Sequence, residues 1–156
     1  MPDAVTFMMG KFPAVLPGDR RYCRNHMWCL PQQPGCSGPA GLLRFGFTSY
    51  AVRLMQDVYF LDWQVSAGDA LALKQLIGHI ETSKAMSDLF APVAGTMQRL
   101  NEELLKDPSA INVDNYGAGW LFEMAALQTD TMDVDEYHQY LDANWEKTQN
   151  MLKGHM

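Results

Sequence analysis

Apolar and polar positions change their spacing several times along the chain, and each change marks an element. From Met1 to Arg20, Gly10, Pro13, Pro17 and Gly18 interrupt any periodic pattern, so this stretch reads as a loose arm. Arg21 to Leu30, with Tyr22, Trp28 and Cys29, reads as a strand, and Leu42 to Phe47 as a second. Residues 31–41, Pro-Gln-Gln-Pro-Gly-Cys-Ser-Gly-Pro-Ala-Gly, form the turn or loop between them. Thr48 is placed to cap a short helix over Ser49 to Gln56. Asp57 to Trp63 is rich in strand formers, Ser66 to Asp69 is a turn, and Ala70 to Glu81 reads as one long strand. Leu89 to Ala91 and Gly95 to Leu100 continue the sheet, and Asn101 to Lys106 makes one helical turn. Asp107 to Gly119 is a long irregular loop before a strand at Trp120 to Met124. Asp133 and Glu136 have capping-box spacing. Val134, Tyr137, Leu141, Trp145 and Leu152 then give a C-terminal helix one apolar stripe. The sum is a small, mostly β domain ending in a helix.

One segment carries more than fold. Residues 80–95 are apolar on both flanks, polar in the middle, and end at Pro92 and Gly95, the pattern of a β-hairpin with an exposed tip. Lys84 stands at that tip. Glu81 lies three residues before it and Asp88 four after, and Ser83 and Ala85 leave the amine accessible from both sides. Gly78 and Gly95 permit close strand approach around the hairpin. An enzyme that modifies a lysine needs it on a rigid, protruding element, because preorganisation lowers the ordering cost of the encounter.

Charge narrows the partners. The formal net charge is −6 and the isoelectric point near 5.0, so binding to a phosphate backbone has no electrostatic basis and no nucleic-acid partner is expected. No apolar run is long enough to cross a bilayer, so no membrane partner is expected. The N-terminus lacks the features of a secretory signal or a mitochondrial transit peptide, which points to a cytoplasmic protein, or to a processed organellar one. Cys23, Cys29 and Cys36 lack the close pairing of a zinc site and are odd in number, so they read as packing residues rather than ligands or disulfides, and no metal is expected. His26, between the first two, reads as a structural histidine.

Four segments in order add a resemblance. Glu81-Thr82-Ser83-Lys84-Ala85, with Ser87-Asp88 and Ala91-Pro92-Val93-Ala94-Gly95, is similar to the attachment hairpin E-S-V-K-A-x-S-D…A-P-V-S-G of the glycine cleavage system H-proteins, lipoyl carriers of the biotinyl/lipoyl domain superfamily. Asn112 to Trp120 resembles that family's N-x-x-P-Y-G-x-G-W loop, Tyr22 and His26-Met27-Trp28 its Y…H-E-W strand, and Gly46-Phe47-Thr48 its G-I-T turn. A biotinyl domain would instead show Met on both sides of the lysine. The resemblance implies a lipoyl-domain (barrel-sandwich hybrid) β-sandwich with a short internal helix and a C-terminal helix. It divides the chain into an arm over 1–20, a carrier domain over 21–125 and a helical segment over 126–156. It implies lipoate in amide linkage on Lys84, with Glu81 helping to position the hairpin for a lipoate-attaching enzyme and Asp88 as the second flanking acid.

The implied role is that of a non-catalytic carrier with no catalytic residues of its own. A glycine decarboxylase loads an aminomethyl group, an aminomethyltransferase takes the one-carbon unit, and a dihydrolipoamide dehydrogenase restores the disulfide. The family's H-E-W glutamate is Met27 here, leaving Asp88 as the acid at the hairpin for a cationic adduct. Two other functions stay open at this point. One is an H-protein-like lipoate-binding protein of another pathway, sulfur oxidation or lipoate relay. The other is an unlipoylated binding domain.

Overall fold

The computed structural model describes residues 3–32, 41–127 and 131–154, with side chains of the last helix followed to Gln149. Most of the 31–41 loop, including Cys36, and the side chain of Leu152 lie outside the described residues.

The loose arm read from the first twenty residues is instead a hairpin. β1 (Val5–Met9) pairs antiparallel with β2 (Phe12–Leu16), Met9 standing opposite Phe12 and Val5 opposite Leu16. Gly10 turns the chain at φ 64°, which glycine adopts without strain. Phe7, Met9, Ala14 and Leu16 face inward, and Thr6, Met8, Pro13 and Val15 face out. Gly10 and Pro13 therefore punctuate a two-stranded ribbon; Pro13 fits there because a free-edge strand tolerates its missing N–H.

The strand expected over Arg21 to Leu30 is likewise a hairpin, β3 (Arg21–Tyr22) and β4 (Met27–Pro31), reversed through His26 at φ 67°. β5 (Gly41–Phe47) leads to α1 (Ser49–Met55), and the Thr48 hydroxyl accepts from the Ala51 N–H at its start. β6 (Val58–Trp63) follows. The long strand expected over Ala70 to Glu81 divides into β7 (Ala70–Leu71) and β8 (Leu76–Thr82), because Lys74 adopts φ 69° and closes a tight turn between them. Next come β9 (Met86–Phe90) and β10 (Gly95–Leu100). α2 (Glu103–Lys106) and α3 (Ala110–Val113) follow, the latter one helical turn inside the stretch read as irregular. β11 (Phe122–Ala126) and α4 (Val134–Gly154) complete the chain. At the start of α4, Glu136 N–H donates to Asp133 Oδ1, and Asp133 N–H donates to Glu136 Oε1.

The protein is mostly β, and its two larger sheets are stacked as a sandwich. A six-stranded sheet runs in the order β3-β4-β5-β11-β10-β7, and a three-stranded sheet in the order β6-β8-β9. Leu43, Phe45, Met97, Phe122 and Met124 of the first meet Leu61, Ile77, Ile80 and Leu89 of the second in one core. Cys23, Met27 and Cys29 are buried in it as apolar filler. A second core joins Phe7 and Leu16 of the N-terminal hairpin to Tyr22, Trp28, Tyr50, Tyr137 and Leu141 beneath α4. Tyr22 and Tyr137 stack there with ring centroids 4.7 Å apart. The three-stranded sheet thus has one face in the core and one in solvent, and that sheet carries Lys84. No helix among the described residues is long and apolar enough to cross a membrane.

Candidate functional site

The hairpin tip is built by side chains adjacent to the lysine. β8 and β9 pair antiparallel with Glu81 opposite Met86 and His79 opposite Asp88. Thr82 closes the turn: its N–H donates to the Ala85 carbonyl at 3.0 Å, and its Oγ1 accepts from the Lys84 and Ala85 N–H groups at 3.2 and 3.3 Å. Ser83 ties the tip to the chain leaving α1, donating its N–H to the Asp57 carbonyl at 2.9 Å and accepting from the Asp57 N–H through Oγ. Asn112 fixes that same connection, accepting from Val58 N–H at 2.9 Å and donating to the Gln56 carbonyl at 2.6 Å. Lys84 itself is exposed and has no acid within ion-pair distance among the described residues. The backbone around the amine is fixed while the amine is free, the combination an attachment enzyme needs.

The two shoulder acids do not meet. Glu81 is partly exposed in the row Phe60–Glu81–Met86, whereas Asp88 is exposed in the next row, Asp62–His79–Asp88. His79 Nδ1 lies 3.0 Å from Asp88 Oδ1, and Gln64 Nε2 lies against His79 Nε2 on the ring's other side. From the sequence, Ser83 reads only as a small neighbour of the amine and Thr82 and Asn112 only as motif residues, while His79 and Gln64 carry no signal. The Thr-x-x-Ala run is a readable signal for the turn, since Thr hydroxyls commonly bond nearby backbone. The others depend on which strand lies alongside.

Gly78 carries a close contact of the kind its residue type allows: a Cβ there would strike the Asp62 carbonyl on β6, with Trp63 Cε3 at 3.1 Å. Met27 is buried in the core rather than presented beside the arm, so its side chain offers the surface nothing. At the base of the hairpin, Asn25 Nδ2 donates to the Phe90 carbonyl at 3.2 Å. A groove of about 640 Å³ opens there, lined by Arg24, Leu73, Lys74, Phe90 and Tyr140 among others, with no carboxylate among the described residues of its lining. The motif residues Trp28, Tyr116 and His26 are structural. Trp28 donates Nε1–H to the Asn115 carbonyl at 3.0 Å, and Tyr116 donates to the Val15 carbonyl at 2.7 Å. His26 sits among Tyr50, Tyr137 and Tyr140, and burial lowers its pKa to about 4. A neutral ring whose Nδ1 meets the Tyr137 hydroxyl at 2.9 Å anchors α4.

A family model for the glycine cleavage H-protein matches residues 20–152, beginning just after the N-terminal hairpin. A probable glycine cleavage system H protein of Natronomonas pharaonis is 35% identical over 129 residues, covering 83% of this chain and 91% of the relative. A glycine cleavage system H protein of Nocardia farcinica is 36% identical, covering 78% and 86%. Among solved structures, a crystal structure of the glycine cleavage system H protein from Mycobacterium marinum superposes with a TM-score of 0.68 at 34% identity, covering 80% of this chain and 98% of that one. An exposed lysine on a braced hairpin, two stacked sheets and a match from residue 20 to residue 152 agree with one another: the chain belongs to the glycine cleavage H-protein family.

Proposed function

We propose that this protein is the lipoyl carrier of a glycine cleavage system, bearing lipoate in amide linkage on Lys84 and moving an aminomethyl group between enzymes. The observation that carries the reading is the free Lys84 amine on a tip whose backbone is tied down by Thr82 and Ser83, within the family match. The site fits the group: the amine has no competing ion pair among the described residues, and small Ser83 and Ala85 flank it. Bound lipoate supplies a dithiolane able to accept and release a carbon–sulfur bond. The chain's own part is to present that arm, and no step of bond making is assigned to its side chains. Its partners are a glycine decarboxylase, an aminomethyltransferase, a dihydrolipoamide dehydrogenase and a lipoate-attaching enzyme, which meet an acidic protein of net charge −6 in turn. Glu81, beside the tip, faces the attaching enzyme.

The test is direct. Co-expression with a lipoate ligase and lipoate is expected to add one lipoyl increment to the intact mass, and Lys84→Arg to add none while melting at the same temperature. Lipoylated protein is then expected to support glycine-dependent exchange of labelled bicarbonate by glycine decarboxylase. A wild-type chain that stays unmodified beside an active ligase refutes the carrier role; a lipoylated chain that supports no exchange refutes the glycine-specific one.

A further inference from the structure

Large apolar side chains stand in solvent at the end of the arm-bearing sheet that carries Lys84. Phe60 on β6 and Met86 on β9 are 49% and 66% exposed, and both lie opposite Glu81 on β8. Residues directly opposite across an antiparallel pair share a face, so Phe60, Glu81 and Met86 form one row, apolar–acidic–apolar. Leu61 and Ile80, one position along, are buried in the core, which makes that row the outward one. Tyr59, left without a ladder partner where β6 bulges, is exposed beside Phe60 in the chain. The next row, Asp62–His79–Asp88, is polar and separates the tip row from Leu76 and Phe90 at the sheet's far end. Within the tip row, Glu81 forms no ion pair among the described residues.

Reach decides which partner this row fits. An enzyme that acylates Lys84 works at the bare Nζ, at most roughly 6 Å from the Lys84 Cα. There the lysine nitrogen attacks the carbonyl carbon of an activated lipoyl group, the activating group leaves, and one proton is lost from nitrogen. Met86 is two residues from Lys84, roughly 7 Å along the chain, so the wall of such an active site meets the tip row. Enzymes that act on the dithiolane work on the order of 15 Å out, at the end of a flexible arm, and can turn over without touching the row. Exposure alone does not single out Lys84, because Lys11, Lys74, Lys106 and Lys147 are exposed as well. The tip offers few side chains to hold: Ser83 and Ala85 are small, and Thr82 commits its hydroxyl to the turn. The row behind the tip supplies what the tip lacks.

We propose that Phe60 and Met86 are the docking anchors of the lipoate-attaching enzyme, which meets them with two apolar recesses flanking a cationic side chain that receives Glu81. This rests on the carrier reading and extends the contact from one acid to a row. The three positions lie on adjacent strands, so the anchors stand roughly 10 Å apart with the acid midway. Apolar anchors seated in recesses supply the affinity, and the charge pair between them sets the register.

The experiment follows attachment of lipoate to the full chain by a lipoate ligase with ATP, read by intact mass over a series of protein concentrations. Phe60→Thr and Met86→Thr keep a strand-forming residue while removing the anchor. Each is expected to lower kcat/KM for attachment about five- to thirtyfold, chiefly through a higher KM, with Met86→Leu within about twofold of wild type. Phe90→Thr is the matched control, the same change at a position 44% exposed on the same face beyond the polar row, and its attachment is expected to be near wild type. Hydrogen exchange at the Lys84 and Ala85 amides is expected to be unchanged in every variant, because Thr82 and Ser83 hold the turn. Driven to complete lipoylation with excess ligase, the variants are expected to support glycine-dependent bicarbonate exchange at the wild-type rate. Attachment unaffected by Phe60→Thr and Met86→Thr, or slowed as much by Phe90→Thr, overturns the proposal. Attachment slowed only together with faster hydrogen exchange at the tip makes the row structural and also overturns it. Normal attachment with slow bicarbonate exchange assigns the row to the decarboxylase instead. A wild-type chain left unmodified by an active ligase overturns the carrier reading and this inference with it.

Discussion

Gly46→Ala is expected to be among the most costly single-methyl additions in this fold. A Cβ at residue 46 would lie 2.5 Å from Trp28 Cζ2, 2.6 Å from Cε2 and 2.8 Å from Nε1. Carbon atoms settle at about 3.5–4.0 Å, so the indole must retreat by about 1 Å. It has nowhere to go: Trp28 is 1% exposed, its Nε1–H is committed to the Asn115 carbonyl, and the Arg20 guanidinium lies 4.7 Å from its ring centroid. Overpacking of this kind costs about 1–3 kcal/mol, and a weakened indole hydrogen bond about 1 kcal/mol more. Replacing glycine returns about 0.5–1 kcal/mol from the unfolded chain. The net is about 1–3.5 kcal/mol, or roughly 2–14 °C in Tm for a domain of this size. Urea unfolding followed by far-ultraviolet circular dichroism measures it. Gly41→Ala is the control in the same strand, since a Cβ there meets no atom within 4 Å, and it should be neutral or mildly stabilising. Trp28→Phe should absorb part of the penalty, so the double variant costs less than the sum of the two singles. Gly46→Ala as mild as Gly41→Ala, or strict additivity with Trp28→Phe, would sink the steric argument.

Three further outcomes follow from the site and its supports. Thr82→Val removes the acceptor of the Lys84 and Ala85 N–H groups; amide exchange at both should accelerate and lipoate attachment slow severalfold, with global stability changed by no more than about 1 kcal/mol at so exposed a turn. Asn112→Ala strips one acceptor and one donor from the α1–β6 connection and should cost about 1–2 kcal/mol in urea unfolding, with faster exchange of the Val58 amide. His26 has its pKa lowered by burial from 6.5 to about 4. The unfolded chain therefore binds the extra proton first, so stability is fully present above pH 6.5 and falls as pH drops toward 4. The loss from this group is at most about 3 kcal/mol across that window. His26→Asn, which tolerates the φ of 67°, should show a shallower fall when both proteins are unfolded at a series of pH values.

What could be read in the chain was what neighbouring residues decide. The Thr48 cap and the Asp133–Glu136 box each join residues three apart, and both formed as their spacing implied. The strands over 42–47 and 57–63 carry their own β-forming residues and needed no outside help. The misreadings have a common cause. His26 and Lys74 take positive φ although neither is glycine, which splits two expected strands, and only tertiary packing can impose that conformation. In the first twenty residues the alternation of Phe7 and Met9 with Thr6 and Met8 was present, but Gly10 and Pro13 were weighed as breakers when they are the turn and the edge of a ribbon. At the site, Lys84 could be found because its surroundings are contiguous. His79 could not be paired with Asp88, because that contact exists only once β8 and β9 are in register and β6 delivers Gln64.

The N-terminal hairpin bears on why the chain can afford an exposed arm. The family match begins at residue 20, so residues 5–16 are an addition in front of it. Their inward side chains do not enter the sandwich; Phe7 meets Tyr50, His138 and Trp145 edge-on, with centroids 5.8, 5.5 and 5.7 Å away. Tyr50 belongs to α1 and the other two to α4, so the hairpin clamps the two helices together. α1 is followed directly by the Gln56–Val58 connection that Asn112 and Ser83 grip, and that connection supports the tip bearing Lys84. The clamp and the tip are therefore joined through one short, hydrogen-bonded path. A carrier that must fit several enzymes in succession needs that division: stability concentrated on one side of the sandwich, and on the other a tip whose backbone is fixed and whose lysine is free to meet each partner.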